Sequence, residues 1–163
     1  MKQARSRLRL RYPWHCLASG FGAGLSPVMP GSVGTLAAIL LWYLLWYLLN
    51  PLFLPFLWLW LLPGIAGGVY ICGKTARDLG SADPGCIVWD EFVGIWIVLI
   101  ALPANNWQWV MAGFVIFRIL DIVKPGPVGW CDRNVSGGLG IMLDDIVAGV
   151  MTAGTLYLAG LII

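Results

Sequence analysis

Residues 36–62 read LAAILLWYLLWYLLNPLFLPFLWLWLL, a run without a single charged side chain. It lies inside a longer uncharged block, Tyr12 to Gly73, and two further blocks follow, Phe92 to Phe117 and Ile146 to Ile163. A hydrocarbon core of ~30 Å takes about 20 helical residues to cross. The first block therefore holds two crossings, divided by the turn signal Asn50-Pro51, and we predict them at 33–49 and 52–72. Pro55 and Pro63 are expected to kink or delimit the second. Pro103-Ala104-Asn105-Asn106 splits the next block into two short spans, 87–102 and 107–123, and the last span is placed at 141–163. The expected fold is all-α: a polytopic membrane helical bundle of about five spans, forming one domain over residues 1–163. A Gly/Pro-rich interfacial or re-entrant segment precedes its first long span.

Composition points the same way. Of 163 residues, 60% are apolar and 11% charged, with a mean hydropathy of +0.83. A soluble domain carries about 25% charged and under about 50% apolar residues. A globule of this size has too little interior to hide the excess. A soluble enzyme, a disordered chain and a secreted disulfide scaffold are excluded. Lys2, Arg5, Arg7, Arg9 and Arg11 form a basic arm over residues 1–12 with no acid, while the remaining chain holds five bases and eight acids. That local arm is no nucleic-acid surface. The positive-inside rule places it in the cytoplasm. Alternation then puts the 50–51 and 103–106 turns and the C-terminus outside, and Lys74, Arg77, Lys124 and Arg133 inside. The arm does not read as a signal peptide, because the first long apolar run begins too late. Cys16, Cys72, Cys86 and Cys131 all map to the inner side, which predicts free thiols in a reducing compartment.

Every acid lies between Asp78 and Asp145, at the cytoplasmic ends of spans or in cytoplasmic loops. Counted at ~1.5 Å per residue from the outer turns, Glu91 and Asp90 lie ~18–20 Å inward, Arg118 ~16 Å and Asp121 ~21 Å. Asp144 and Asp145 begin the last span from that side. These levels coincide just below the inner headgroups. Ionisable groups at such depth are costly and usually functional. Carboxylates at one depth repel unless cations bridge them, and hard divalent ions such as Mg²⁺ prefer oxygen ligands. Simpler readings stay open: Asp90 or Asp144 as helix caps, Arg118 paired with Asp121 or with Glu91, and Asp78 and Asp83 solvated in a loop.

Two glycine-rich stretches flank this cluster. Residues 20–35, GFGAGLSPVMPGSVGT, offer Ser26, Ser32 and Thr35 before a helix start, an arrangement that binds anions or merely caps. Residues 124–140, KPGPVGWCDRNVSGGLG, place Lys124 and Arg133 before Asp144 as a phosphate clamp or as an ordinary positive-inside loop. Carboxylates with Arg and Lys at a membrane surface suit phosphoryl chemistry on a lipid headgroup. A single histidine, His15, excludes a two-histidine relay, and its position beside Trp14 reads as interfacial. No Cys-x5-Arg loop and no Asp-x-Asp pair occurs.

GLSPVMPGSVGT (24–35), IVWDEFVGIW (87–96), FRILDIVKPGP (117–127) and DRNVSGGLGIMLDDIVAG (132–149) resemble, in order, the signature blocks of the phosphatidylglycerophosphatase A family. The resemblance covers most of the chain. It implies a Mg²⁺-dependent phosphatase of the bacterial inner membrane, acting on phosphatidylglycerophosphate with its N-terminus and active site cytoplasmic. It also implies Asp90, Glu91, Asp121, Asp132, Asp144 and Asp145 as site acids. Ser136 departs from the family pattern, which has histidine there. The expected roles are metal ligation and catalysis by Asp90, Glu91, Asp121, Asp144 and Asp145. Substrate binding falls to Ser26, Ser32, Thr35, Arg118, Lys124, Asp132 and Arg133. The expected partner is a membrane phospholipid, with no nucleic acid, no evident obligatory protein partner, and self-association open. The alternative from another class is a small cation or proton transporter using the same carboxylates. It lacks any charge in the outer half and any inverted repeat.

Overall fold

The computed structural model describes residues 6–49 and 57–162, with the side chains of residues 57 and 58 left aside. The predicted Asn50-Pro51 turn, Pro55, Lys2, Arg5 and Ile163 lie outside the described residues. A short helix α1 (Pro13–Ala18) opens on proline and leads to a 3-10 turn at Ala23–Leu25. Then come α2 (Pro30–Leu49), α3 (Leu57–Leu79), α4 (Trp89–Ile100), α5 (Trp107–Val123), α6 (Pro127–Asn134) and α7 (Gly137–Gly160). Among the described residues there is no strand, and the all-α expectation holds.

By length and composition, α2 and α7 are apolar and long enough to cross a membrane. The other long helices differ. α3 carries Lys74, Arg77 and Asp78 in its last turns and runs past the predicted end at 72, with Pro63 inside it. α4 has 12 residues and α5 has 17, lengths of ~18 and ~26 Å. The predicted 87–102 span is thus shorter, the last begins at Gly137 rather than 141, and α5 matches 107–123. The stretch 124–140, read from sequence as a loop, folds in part into α6, which Pro127 can start because proline suits a first helical turn.

α4 is the axis of the bundle. It packs against α2, α3, α5 and most extensively α7. Phe92, Val93, Ile95, Trp96, Val98 and Leu99 are buried on every side of it, the pattern of a helix enclosed by others. The α4–α7 crossing depends on two missing side chains. A Cβ on Gly149 would meet the Gly94 backbone, and one on Gly94 would strike the Phe117 ring and the Asp145 carbonyl. Small residues let helix backbones approach this closely.

The neighbours fix each helix's direction. Gly34 and Ala38 of α2 meet Val88 and Trp96, so α2 runs with α4. Gly113 lies by Val98 and Arg118 by Glu91, so α5 runs against it. Gly68 meets Met142 and Gly73 meets Gly138, so α3 runs against α7. All the acids therefore share one end. At the other, Tyr43 donates to Asn105 Oδ1 at 2.7 Å and α7 ends beside Pro103.

At the acidic end α1 is tied to α3. The Trp14 indole donates to Asp78 at 2.9 Å, Lys74 lies 4.4 Å from the Trp14 ring centre, and Thr75 Oγ1 donates to the Trp14 carbonyl at 3.3 Å. His15, expected at the interface, is buried instead: its Nδ1 accepts from the Arg9 amide, and its Nε2 lies 3.3 Å from Asp78. Asp78, expected in solvated loop, ends a helix and anchors these aromatics. The four cysteines form no disulfide.

Candidate active site

The acidic end encloses a cavity of about 480 Å³. Its floor is made by Asp90 and Glu91 in the first turn of α4 and by Asp145 on α7. Each offers one oxygen, and the three oxygens lie within 4.8 Å of one another. The glycine crossing explains this closeness, since Gly94 admits the Asp145 carbonyl one turn above Glu91. Placement at the positive end of α4 also favours negative charge. Neither Asp90 nor Asp144 is an N-cap residue: that position of α4 is Val88, whose side chain makes no cap bond, and Asp144 lies two turns inside α7. Instead, each accepts the amide of the following residue at 3.1 Å.

Glu91 Oε2 and Asp145 Oδ1 are buried without a hydrogen-bond partner. Carboxylate oxygens left so are expensive. Two unpartnered oxygens beside a third carboxylate form a hard donor set suited to a divalent cation. Asp90, Glu91 and Asp145 thus fit the metal that the family resemblance implies.

Arg118 closes one wall. It lies 2.7 Å from Asp121 and 3.5 Å from Glu91, so both pairings left open by sequence occur in one network. It also reaches Thr35 Oγ1 at 3.5 Å, while Thr35 donates to the Gly31 carbonyl. A side chain at Gly31 would strike both Glu91 and Arg118, so the first turn of α2 seals this corner only because it is bare.

Lys124 holds the opposite wall. It leaves α5 in the left-handed conformation, φ +49°, and its Nζ donates to Asp144 at 2.7 Å and to Asp132. Burial alone would lower its ammonium pKa, but hydrogen bonds and charge from Asp132 and Asp144 outweigh that and raise it. Lys124 was expected to bind phosphate, yet its ammonium is engaged by two carboxylates. Asp132 is correspondingly an ion-pair partner.

Ser32 lines the cavity, as do Arg133 and, at the start of α7, Ser136 and Gly140. Ser26 does not: its hydroxyl donates to the Val28 carbonyl. Thr35 is buried behind Arg118 rather than on the cavity wall. Asp83 is exposed, as expected of a solvated loop residue, and it also lies on the wall. It is open to solvent on one side, but partial burial on the others raises its pKa, and Lys124 opposes that shift. Its position in a Pro-Gly turn just before the α4 acids was the available signal. Met29 and Ile122 also line the rim, exposed and apolar.

An apolar helical bundle whose cavity joins clustered carboxylates to arginine and lysine is equipped to handle phosphoryl groups. Comparison with known proteins gives that class a family. The profile described as phosphatidylglycerophosphatase A matches residues 16–160. The phosphatidylglycerophosphatase A of Escherichia coli (strain K12) is 60% identical over 157 residues, covering 96% of this chain and 89% of that protein. Its namesake in Haemophilus influenzae is 46% identical over 145 residues, 88% and 86% of the two chains. A Bacteroides thetaiotaomicron protein with the provisional name phosphatidylinositol-3-phosphatase is 41% identical over 142 residues, 82% and 85%. No solved structure matches. The chain belongs to the phosphatidylglycerophosphatase A family, and it is a phosphatase.

Proposed function

We propose that the protein hydrolyses the terminal phosphomonoester of phosphatidylglycerophosphate, releasing phosphatidylglycerol and phosphate, with Mg²⁺ as cofactor. The observation that carries this reading is the floor of Asp90, Glu91 and Asp145, one oxygen of each within 4.8 Å of the others, with Glu91 Oε2 and Asp145 Oδ1 buried and unpartnered. A Mg²⁺ held there would neutralise phosphate charge and acidify water. Asp121, oriented by Arg118 at 2.7 Å, takes the proton from the attacking water. Arg118 presents its remaining donors to the phosphoryl oxygens, and Ser32 adds a hydroxyl from the start of α2. Lys124 acts through Asp144 and Asp132, holding α6 against α7 so that the cavity keeps its shape.

The alternating helix directions favour five crossings by α2, α3, α4, α5 and α7 in the bacterial inner membrane, with the cavity on the cytoplasmic side. The basic arm supports that orientation. Met29 and Ile122 give the rim an apolar lip between the start of α2 and the end of α5. A lipid can enter there with its tails still in the bilayer. A transporter is disfavoured, because the 103–106 end of the bundle carries no charge.

Two measurements test this. Purified protein in mixed micelles is expected to release phosphate from the lipid with kcat/KM at least about a hundredfold above that for soluble glycerol phosphate, since the membrane itself holds the tails. Comparable values would refute lateral entry, and no release from the lipid would refute the reaction. A cysteine at Asn105, in a background lacking the native cysteines, is expected to be labelled only from the periplasmic face. Labelling from the cytoplasm alone would overturn the orientation.

A further inference from the structure

Three cations line the cavity, and they are not equivalent. Arg118 faces Asp121 and Glu91, and Lys124 faces Asp132 and Asp144. Among the described residues, the Arg133 guanidinium makes no ion pair and no hydrogen bond. It is exposed, on the last turn of α6, and lies against the bare Gly129 of its own helix: a Cβ there would sit 3.0 Å from Nη1. This guanidinium, a planar fork of donors, thus lines the cavity without a carboxylate to satisfy it, a chemistry matched to phosphate.

The substrate proposed above has two phosphates separated by a glycerol. The terminal monoester belongs at the floor, where Asp145 is 3% exposed. The diester, one glycerol nearer the tails, is then left toward the mouth. Resting on that reading, we propose that Arg133 is a specificity-determining residue that binds the phosphodiester and not the phosphoryl group being removed. The enzyme would thereby distinguish a lipid with two phosphates from one with a single phosphate. Arg118, tied to the floor carboxylates, serves the reacting group.

The test compares two lipids in mixed micelles: phosphatidylglycerophosphate, and an analogue whose diester is replaced by an uncharged ether linkage with tails, glycerol and terminal phosphate retained. The wild-type protein is expected to prefer the charged lipid by roughly 10- to 100-fold in kcat/KM, the size of a charge-assisted contact. Arg133→Ala is expected to abolish that preference, mainly by raising KM for the charged lipid, and Arg133→Lys to restore part of it. The preference is a ratio within one preparation, so partial misfolding does not affect it. A wild-type enzyme that treats the two lipids alike overturns the proposal, as does an Arg133→Ala variant whose activity on both falls equally. Failure of the wild-type enzyme on both lipids would instead reject the proposed reaction itself.

Discussion

Asp145→Asn is expected to lower kcat/KM by about a thousandfold or more, a loss of about 4 kcal/mol of transition-state stabilisation. The same variant is expected to make the metal-free protein more stable. Asp145 sits with Asp90 and Glu91 in one tight group, its Oδ1 buried and unpartnered. With no cation present, three carboxylates so close repel each other, and removing one charge relieves the strain. In chelator, Tm should rise by a few degrees, reflecting about 1 kcal/mol. Added Mg²⁺ should stabilise the wild-type protein and leave the variant nearly unchanged. Glu91→Gln should behave alike, with a smaller rise because Arg118 loses a partner at 3.5 Å. A variant that loses activity and stability together, with its Mg²⁺ response intact, would show that Asp145 is structural.

Replacing Lys124 has the second largest expected effect, through a different route. Its ammonium joins Asp132 of α6 to Asp144 of α7. Lys124→Met leaves both carboxylates facing the cavity uncompensated. Breaking a buried pair costs about 3–5 kcal/mol, but Lys124 is 27% and Asp132 39% exposed, so solvent recovers part. A loss of about 2 kcal/mol in stability and roughly 100-fold in kcat is expected. Lys124→Gly separates charge from backbone, since glycine adopts φ +49° without the penalty other residues meet there. It should recover about 1 kcal/mol of stability and none of the activity. The raised ammonium pKa has a consequence with a definite sign. The bridge is kept as pH rises through the ordinary lysine range, and alkaline loss of activity below that range is not expected from this residue. Full activity in Lys124→Met would remove Lys124 from the site's architecture.

Much of this site is legible in the sequence. Acids absent from three long apolar blocks must gather where the blocks end, and counting helical rise put Asp90, Glu91, Arg118 and Asp121 at one level. Depth along a helix is a local property, readable from spacing. Which side chain touches which is not. Lys124 and Arg133 looked alike as loop cations, and only the fold of α6 shows that one is bound by Asp132 and Asp144 while the other stands free. Ser26 and Thr35 looked like phosphate donors, but each hydroxyl is turned to a nearby backbone carbonyl. His15 and Asp78 meet only because α1 docks on α3, a contact between residues 63 positions apart that no local pattern encodes.

The brevity of α4 bears on the lipid as well as on the protein. A helix of 12 residues reaches ~18 Å, against ~30 Å for an ordinary hydrocarbon core. In the proposed five-crossing arrangement, with the far end of α4 level with the 103–106 turn, the inner leaflet would have to dip toward Asp90 or let water climb to it. The surrounding acyl chains would then set part of the reaction's energetic cost: short or disordered tails bend to the cavity easily, whereas long, ordered tails resist. Membrane thickness would then regulate turnover on that arrangement, acting without a binding site of its own.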